Sequence, residues 1–122
     1  MRSFASPLTA TVVGAGTGGM LSARALLASP RFELVGVADT SAEALARLSA
    51  EELAEVAKFG SYQEMFAAVA ADVVCVSTYA PTHLEIAKAA MNLPVKGILV
   101  EKPLGDSTAA ASEVPVIVAA AR

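Results

Sequence analysis

Apolar residues in this chain fall into short solid runs, separated by stretches in which they recur every three or four positions. The runs predict strands at residues 9–13, 32–38, 72–77 and 95–100, with a very short one at Lys58-Phe59. The third run, Asp72-Val73-Val74-Cys75-Val76-Ser77, shows no polar alternation, as expected of a strand covered on both faces. Between the runs the period is helical. Residues 17–28 predict a helix stopped near Pro30. Thr40-Ser41-Ala42-Glu43 has capping-box spacing and opens a helix expected to reach about Ala57, with Ser49-Ala50-Glu51-Glu52 repeating the pattern as a candidate break. Ser61-Tyr62-Gln63-Glu64 opens another helix, to about Val69. A fourth helix starts at Pro81 or Thr82, with Glu85 at capping-box spacing from Thr82, and runs to about Met91. Asn92-Leu93-Pro94 then turns the chain. In the tail, residues 104–122, Ser107 to Glu113 begins a helix that Pro115 interrupts. Strands alternating with helices imply an α/β fold, a doubly wound parallel sheet in three layers.

Ligands bind such sheets at the carboxyl ends of the strands, where the strand order reverses. The chemically distinctive residues lie at those predicted ends: Gly14 to Gly19, Asp39, Ser77 to His83, and Glu101-Lys102-Pro103. Gly14, Gly16 and Gly19 fit G-x-G-x-x-G, and Asp39 follows Gly19 by 20 residues at the end of the second run. Gly14 permits a tight strand-to-helix turn, Gly16 lets a pyrophosphate approach the backbone, and Gly19 lets helix and strand pack closely. With Thr17 and Gly18, they open a helix whose N-terminal N–H groups and partial positive charge favour phosphates. Asp39 would accept hydrogen bonds from ribose hydroxyls. An acid there repels a 2′-phosphate, so NAD is favoured over NADP, although Thr40 and Ser41 leave room for some NADP.

Composition narrows the alternatives. The 122 residues make one domain, 55% hydrophobic and only 5% aromatic. The mean hydropathy of +0.57 argues against disorder. A net charge of −3 with no basic cluster argues against nucleic acid or an anionic membrane as partner. No apolar run is long enough for a spanning helix, and glycines from Gly14 onward interrupt the only N-terminal stretch resembling a signal peptide. Cys75 is the only cysteine and reads as a small core residue, which fits a cytoplasmic setting. No His/Cys/Asp/Glu spacing suggests a metal site. Tyr62 and Tyr79 read as packing residues, and His83 as either a partnerless first-turn residue or a cofactor-side group.

Gly14 to Gly19, Val37-Ala38-Asp39, Ser61 to Met65, Asp72 to Thr78 with His83, and Val100-Glu101-Lys102-Pro103-Leu104 together form a pattern. The chain resembles the nucleotide-binding Rossmann domain of the glucose-fructose oxidoreductase, inositol dehydrogenase and rhizopine-catabolism family, over about residues 8–110. The resemblance implies NAD- or NADP-dependent hydride transfer on a sugar, inositol or related polyol. It implies that Ser77, Thr78 and His83 lie beside the nicotinamide half. Glu101 and Lys102 would face nicotinamide and substrate, with Lys102 the catalytic contributor. Tyr79 stands where the family usually has Pro, and Gly105 where Ala is common. The family's second domain, which supplies much of the substrate site, has no counterpart expected within these 122 residues. Two functions follow. One is the cofactor domain of an oxidoreductase that needs a second domain for its substrate. The other is a non-catalytic nucleotide-binding or interaction module. Surface left uncovered by a missing partner domain would favour self-association, such as a homo-oligomer. A methyltransferase would place an acid just before the glycine turn, where Val12 and Val13 stand, and a flavoprotein would not call for Glu101-Lys102-Pro103.

Overall fold

A computed structural model describes residues 6–49 and 53–101. Five parallel strands form one sheet: β1 (Leu8–Val13), β2 (Phe32–Ala38), β3 (Lys58–Phe59), β4 (Val73–Val76) and β5 (Gly97–Val100), in the order β3-β2-β1-β4-β5. The connections carry α1 (Thr17–Ala28), α2 (Ala42–Ser49), α3 (Tyr62–Ala68) and α4 (His83–Met91), the last preceded by a 3-10 turn at Ala80–Thr82. The strand order reverses between β1 and β4, so the carboxyl ends of these two strands frame the crevice of the fold.

Successive residues of each strand feed opposite faces, which explains the solid apolar runs. Ala10, Val12, Val37 and Cys75 pack with Ala23 and Leu26 of α1 and with Ala44 and Leu48 of α2. Val13, Ala38, Val74 and Val76 pack with Met65 of α3 and with Ile86 and Ala90 of α4. Alanine and valine dominate because the helices lie close on the sheet. Burial pushes the Cys75 thiol up, as befits a packing residue away from solvent.

Three expectations are corrected. Helix α2 spans Ala42–Ser49, up to the candidate break, and does not run on to Ala57; Leu53 to Val56 form a turn. The ammonium of Lys58 donates to the carbonyls of Leu53, Ala54 and Val56, satisfying a turn that a continuous helix would not have exposed. The cap of α2 is Ser41, whose Oγ accepts from the Ala44 N–H, because Asp39 rather than Thr40 fixes the entering backbone. Thr82 flanks α4 without capping it. Its hydroxyl instead donates to the Tyr79 carbonyl, 2.6 Å away, and pairs with the Thr78 hydroxyl. The fourth and fifth strands, β4 and β5, are also shorter than predicted. Asp72 turns aside to bind Thr9: its Oδ2 accepts from the Thr9 N–H at 2.9 Å, and Lys96 lies 3.7 Å from Oδ1. The Thr9 backbone N–H chiefly, then the Lys96 charge, hold this carboxyl below the usual range against some desolvation. The tail, including Ser107 to Glu113 and Pro115, lies outside the described residues.

One core position is suboptimal for packing alone. Thr11 is 1% exposed, and its hydroxyl has no hydrogen-bond partner among the described residues. It sits beside an irregularity in the ladder, where Ala10 pairs with Leu34 but Thr11 pairs with Gly36. A buried hydroxyl left unpaired costs roughly 1–3 kcal/mol. Thr11→Val is therefore expected to stabilise the chain by about 1 kcal/mol, seen as a higher urea midpoint with an unchanged slope.

Candidate functional site

The turn after β1 is shaped by two glycines that admit no side chain. Gly14 has φ +109°, a conformation that L residues rarely adopt, and a methyl group there would strike the Ser77 carbonyl. A methyl on Gly19 would land on the Gly14 carbonyl oxygen, well inside van der Waals contact. Gly16 is different. Its backbone is extended, at φ −77° and ψ −165°, and a methyl there would meet nothing within 4 Å. Neither conformation nor packing demands glycine at position 16.

Gly16 is also the N-cap of α1, with no side-chain cap and no acid in the first turn, whereas α2 and α3 begin under Ser41 and Ser61. The first intrahelical bond runs from the Met20 N–H to the Gly16 carbonyl. The leading N–H groups of α1, including those of Thr17 and Gly18, are thus the helix's positive end, presented beside the turn.

Asp39 braces this turn. Its Oδ2 accepts from the Ala15 N–H and its Oδ1 from the Ser41 N–H, both at 2.7 Å. One carboxylate therefore joins the ends of β1 and β2 and fixes the start of α2. Each oxygen keeps a further lone pair for a hydroxyl donor.

Ser77 and Thr78 follow β4. The Ser77 N–H donates to the Val13 carbonyl at 2.8 Å, which holds the two strand ends together. His83 is 2% exposed, and its Nε2 lies 2.8 Å from the Thr78 carbonyl. It supports the Ser77–Tyr79 loop from beneath and does not line the cleft described next. Glu101 follows β5, its N–H bonded to the Val76 carbonyl. Its carboxyl would lie 3.7–3.8 Å from a methyl on Gly18, so it sits beside the α1 N-terminus. Lys102, the next residue, lies outside the described residues. The strand-end residues thus converge: Gly14 to Gly19 form the centre, with Asp39, Ser77 and Glu101 around it.

A cleft of about 530 Å³ opens from this centre. It is lined from the ends of β1 and β2 by Val13, Gly14, Gly16, Ala38, Asp39 and Thr40, after β4 by Ser77 to Tyr79, and from α3, the 3-10 turn and α4 by Tyr62, Gln63, Thr82, Glu85 and Ile86. The last five were not singled out as binding residues from sequence. Tyr62, Gln63, Thr82 and Glu85 stood there in helix-opening patterns; their position at the starts of α3 and α4, near strand ends, was the available signal. Tyr62 does pack, edge-on against Phe66 with centroids 5.5 Å apart, but its hydroxyl also donates to Glu85 Oε2 at 2.8 Å. Burial first, then the Glu85 hydrogen bond and charge, push the Tyr62 phenol above its ordinary value. Tyr79 is not a packing residue: it is 77% exposed on the cleft edge. Among the described residues no cluster of three or more His, Cys, Asp or Glu could hold a metal, and no helix is long and apolar enough to cross a membrane.

Residues 8–122 match the family profile GFO_IDH_MocA, described as "Oxidoreductase family, NAD-binding Rossmann fold". Among solved structures, the chain is 31% identical to GenD2 from gentamicin A biosynthesis, determined in complex with NAD. The TM-score is 0.81, and the match covers 98% of this chain and 33% of that one. It is 25% identical to myo-inositol 2-dehydrogenase from Lactobacillus plantarum, with a TM-score of 0.82, covering 93% of this chain and 33% of that one. The WlbA dehydrogenase from Bordetella pertussis, in complex with NADH and UDP-GlcNAcA, shares the fold at 24% identity and a TM-score of 0.81, over 94% of this chain and 34% of that one. The chain spans about a third of the length of these structures. No curated protein matches it.

Proposed function

The chain belongs to the GFO_IDH_MocA oxidoreductase family and has its NAD-binding Rossmann fold, and from that premise we propose where the cofactor sits and what the surrounding residues do. The pyrophosphate lies on Gly14 to Gly19, over the open position at Gly16 and against the N-terminus of α1. The adenosine half lies in the cleft, with its ribose on Asp39 and Thr40. The observation that carries this reading is Gly16, a glycine with an ordinary backbone and empty space in front of it, at the uncapped start of a helix.

The residues at the other strand ends serve the nicotinamide half. Ser77 and Thr78 border it, His83 fixes their loop through the Thr78 carbonyl, and Glu101 stands beside the α1 N-terminus. Bound there, the nicotinamide supplies hydride transfer to or from a carbinol carbon. Lys102, following Glu101 in sequence, is assigned to hold the reacting oxygen and stabilise its developing negative charge. Sugars, inositols or related polyols are the proposed substrates, bound with the help of a second domain. The carboxylate of Asp39 opposes a 2′-phosphate, so NAD is preferred to NADP. A cytoplasmic setting belongs to the same proposal, supported by a lone, buried cysteine. So does self-association, supported by exposed Leu21 and Leu99.

Calorimetric titration of the chain with NAD and with NADP tests the reading. Saturable binding of NAD, tighter than that of NADP, is expected. No heat from NAD at millimolar concentration would sink it.

A further inference from the structure

The cleft has a second carboxylate, and its setting is specific. Among the described residues lining the cleft, Asp39 and Glu85 are the acids. Asp39 stands at the glycine-turn end. Glu85 stands on the first turn of α4, paired with Tyr62 from the start of α3. Glu101, although beside Gly18, does not line this cleft, so the cleft leads away from the β5 side of the site. Val13, Ala38 and Ile86 supply apolar lining to the same cleft, as a heteroaromatic ring requires.

The Tyr62–Glu85 pair lies at the open side of the cleft, with Glu85 exposed and Tyr62 half-buried. The Tyr62 ring is held edge-on by Phe66, and its hydroxyl donates to Oε2 of Glu85 at 2.8 Å. A carboxylate fixed this way retains acceptor capacity on both oxygens. It offers acceptors and no donor to whatever enters.

We infer that Glu85 recognises the base of the dinucleotide by accepting a hydrogen bond from the exocyclic amine of adenine, and that Tyr62 positions its carboxylate. The inference rests on the reading that places the adenosine half in this cleft. Hypoxanthine carries a carbonyl oxygen where adenine carries the amine, so it would set one acceptor against another. Specificity of this kind comes from a polar group left unpaired or opposed.

The experiment compares calorimetric titrations with NAD and with nicotinamide hypoxanthine dinucleotide. The wild-type chain is expected to bind the hypoxanthine analogue weaker by roughly tenfold or more. In Glu85→Gln, whose amide both donates and accepts, the ratio is expected to fall to within about twofold. Tyr62→Phe keeps the ring against Phe66 and removes the hydroxyl, and is expected to lower the ratio part of the way. A merely structural role for Glu85 would shift both affinities together and leave the ratio unchanged. Equal affinities in the wild type, or an unchanged ratio in Glu85→Gln, would overturn the inference while the dinucleotide site stands. Failure of both dinucleotides to bind would remove both.

Discussion

Gly19→Ala is expected to cost on the order of 3 kcal/mol or more, enough to leave a domain of ordinary stability largely unfolded in mild denaturant. An added methyl usually helps a helix by up to about 1 kcal/mol relative to glycine. Here it would collide with the Gly14 carbonyl oxygen, a backbone atom that no side-chain rotation can move aside. The backbone of Gly14 is itself pinned: its N–H donates to the Ala38 carbonyl at 2.7 Å, and its Cα faces the Ser77 carbonyl. Relief would need the ends of β1, β2 and β4 to shift together. Gly18→Ala is the control. It adds the same methyl one residue earlier, against contacts no closer than 3.7 Å. It should keep or slightly raise the urea midpoint. Gly16→Ala separates the two roles of the turn: it is expected to fold normally and to bind NAD at least about tenfold less tightly, because the new methyl occupies the place of the phosphate. Equal urea midpoints for Gly18→Ala and Gly19→Ala would refute the packing argument.

Asp39→Asn is expected to have the largest effect on cofactor choice. The carboxylate accepts from Ala15 and Ser41 on different oxygens, and asparagine can retain only one of those bonds. The loss should cost about 1–2 kcal/mol of stability, as for a hydrogen bond to a charged group at a half-buried position. The same change removes the negative charge that opposes a 2′-phosphate. NAD affinity should fall about tenfold or more as the ribose loses its acceptor, while NADP affinity falls less or rises. An unchanged NAD-to-NADP ratio would confine Asp39 to bracing the turn.

The strand and helix order was legible because each run and each period obeyed one rule, burial on both faces of a parallel sheet. Phe32–Ala38, Thr17–Ala28 and the two-residue β3 have the bounds that their residues predict. The glycine turn, Asp39, Ser77 and Glu101 were legible as strand-end residues, and the sheet gathers them at one edge. What sequence did not reveal depends on contacts between distant segments. The turn at Leu53 to Val56, beyond α2, is satisfied by Lys58 reaching back to three carbonyls, a contact that the candidate break at Ser49 to Glu52 does not encode. Asp39 takes the Ser41 N–H and thereby makes Ser41, not Thr40, the cap. The far wall of the cleft joins Tyr62 to Glu85 across 23 residues of sequence. Each of these two residues looks ordinary on its own helix.

The central claim is that the dinucleotide lies on the glycine turn at the point where strand order reverses. Backbone amide resonances followed during an NAD titration test it most directly. Shifts concentrated at Ala15 to Gly19, Thr40 and Ser77 to Tyr79 are the expected result. Saturable binding that leaves those amides unmoved, with shifts confined to the groove between Phe66 and Pro94 at the other end of the sheet, would contradict it.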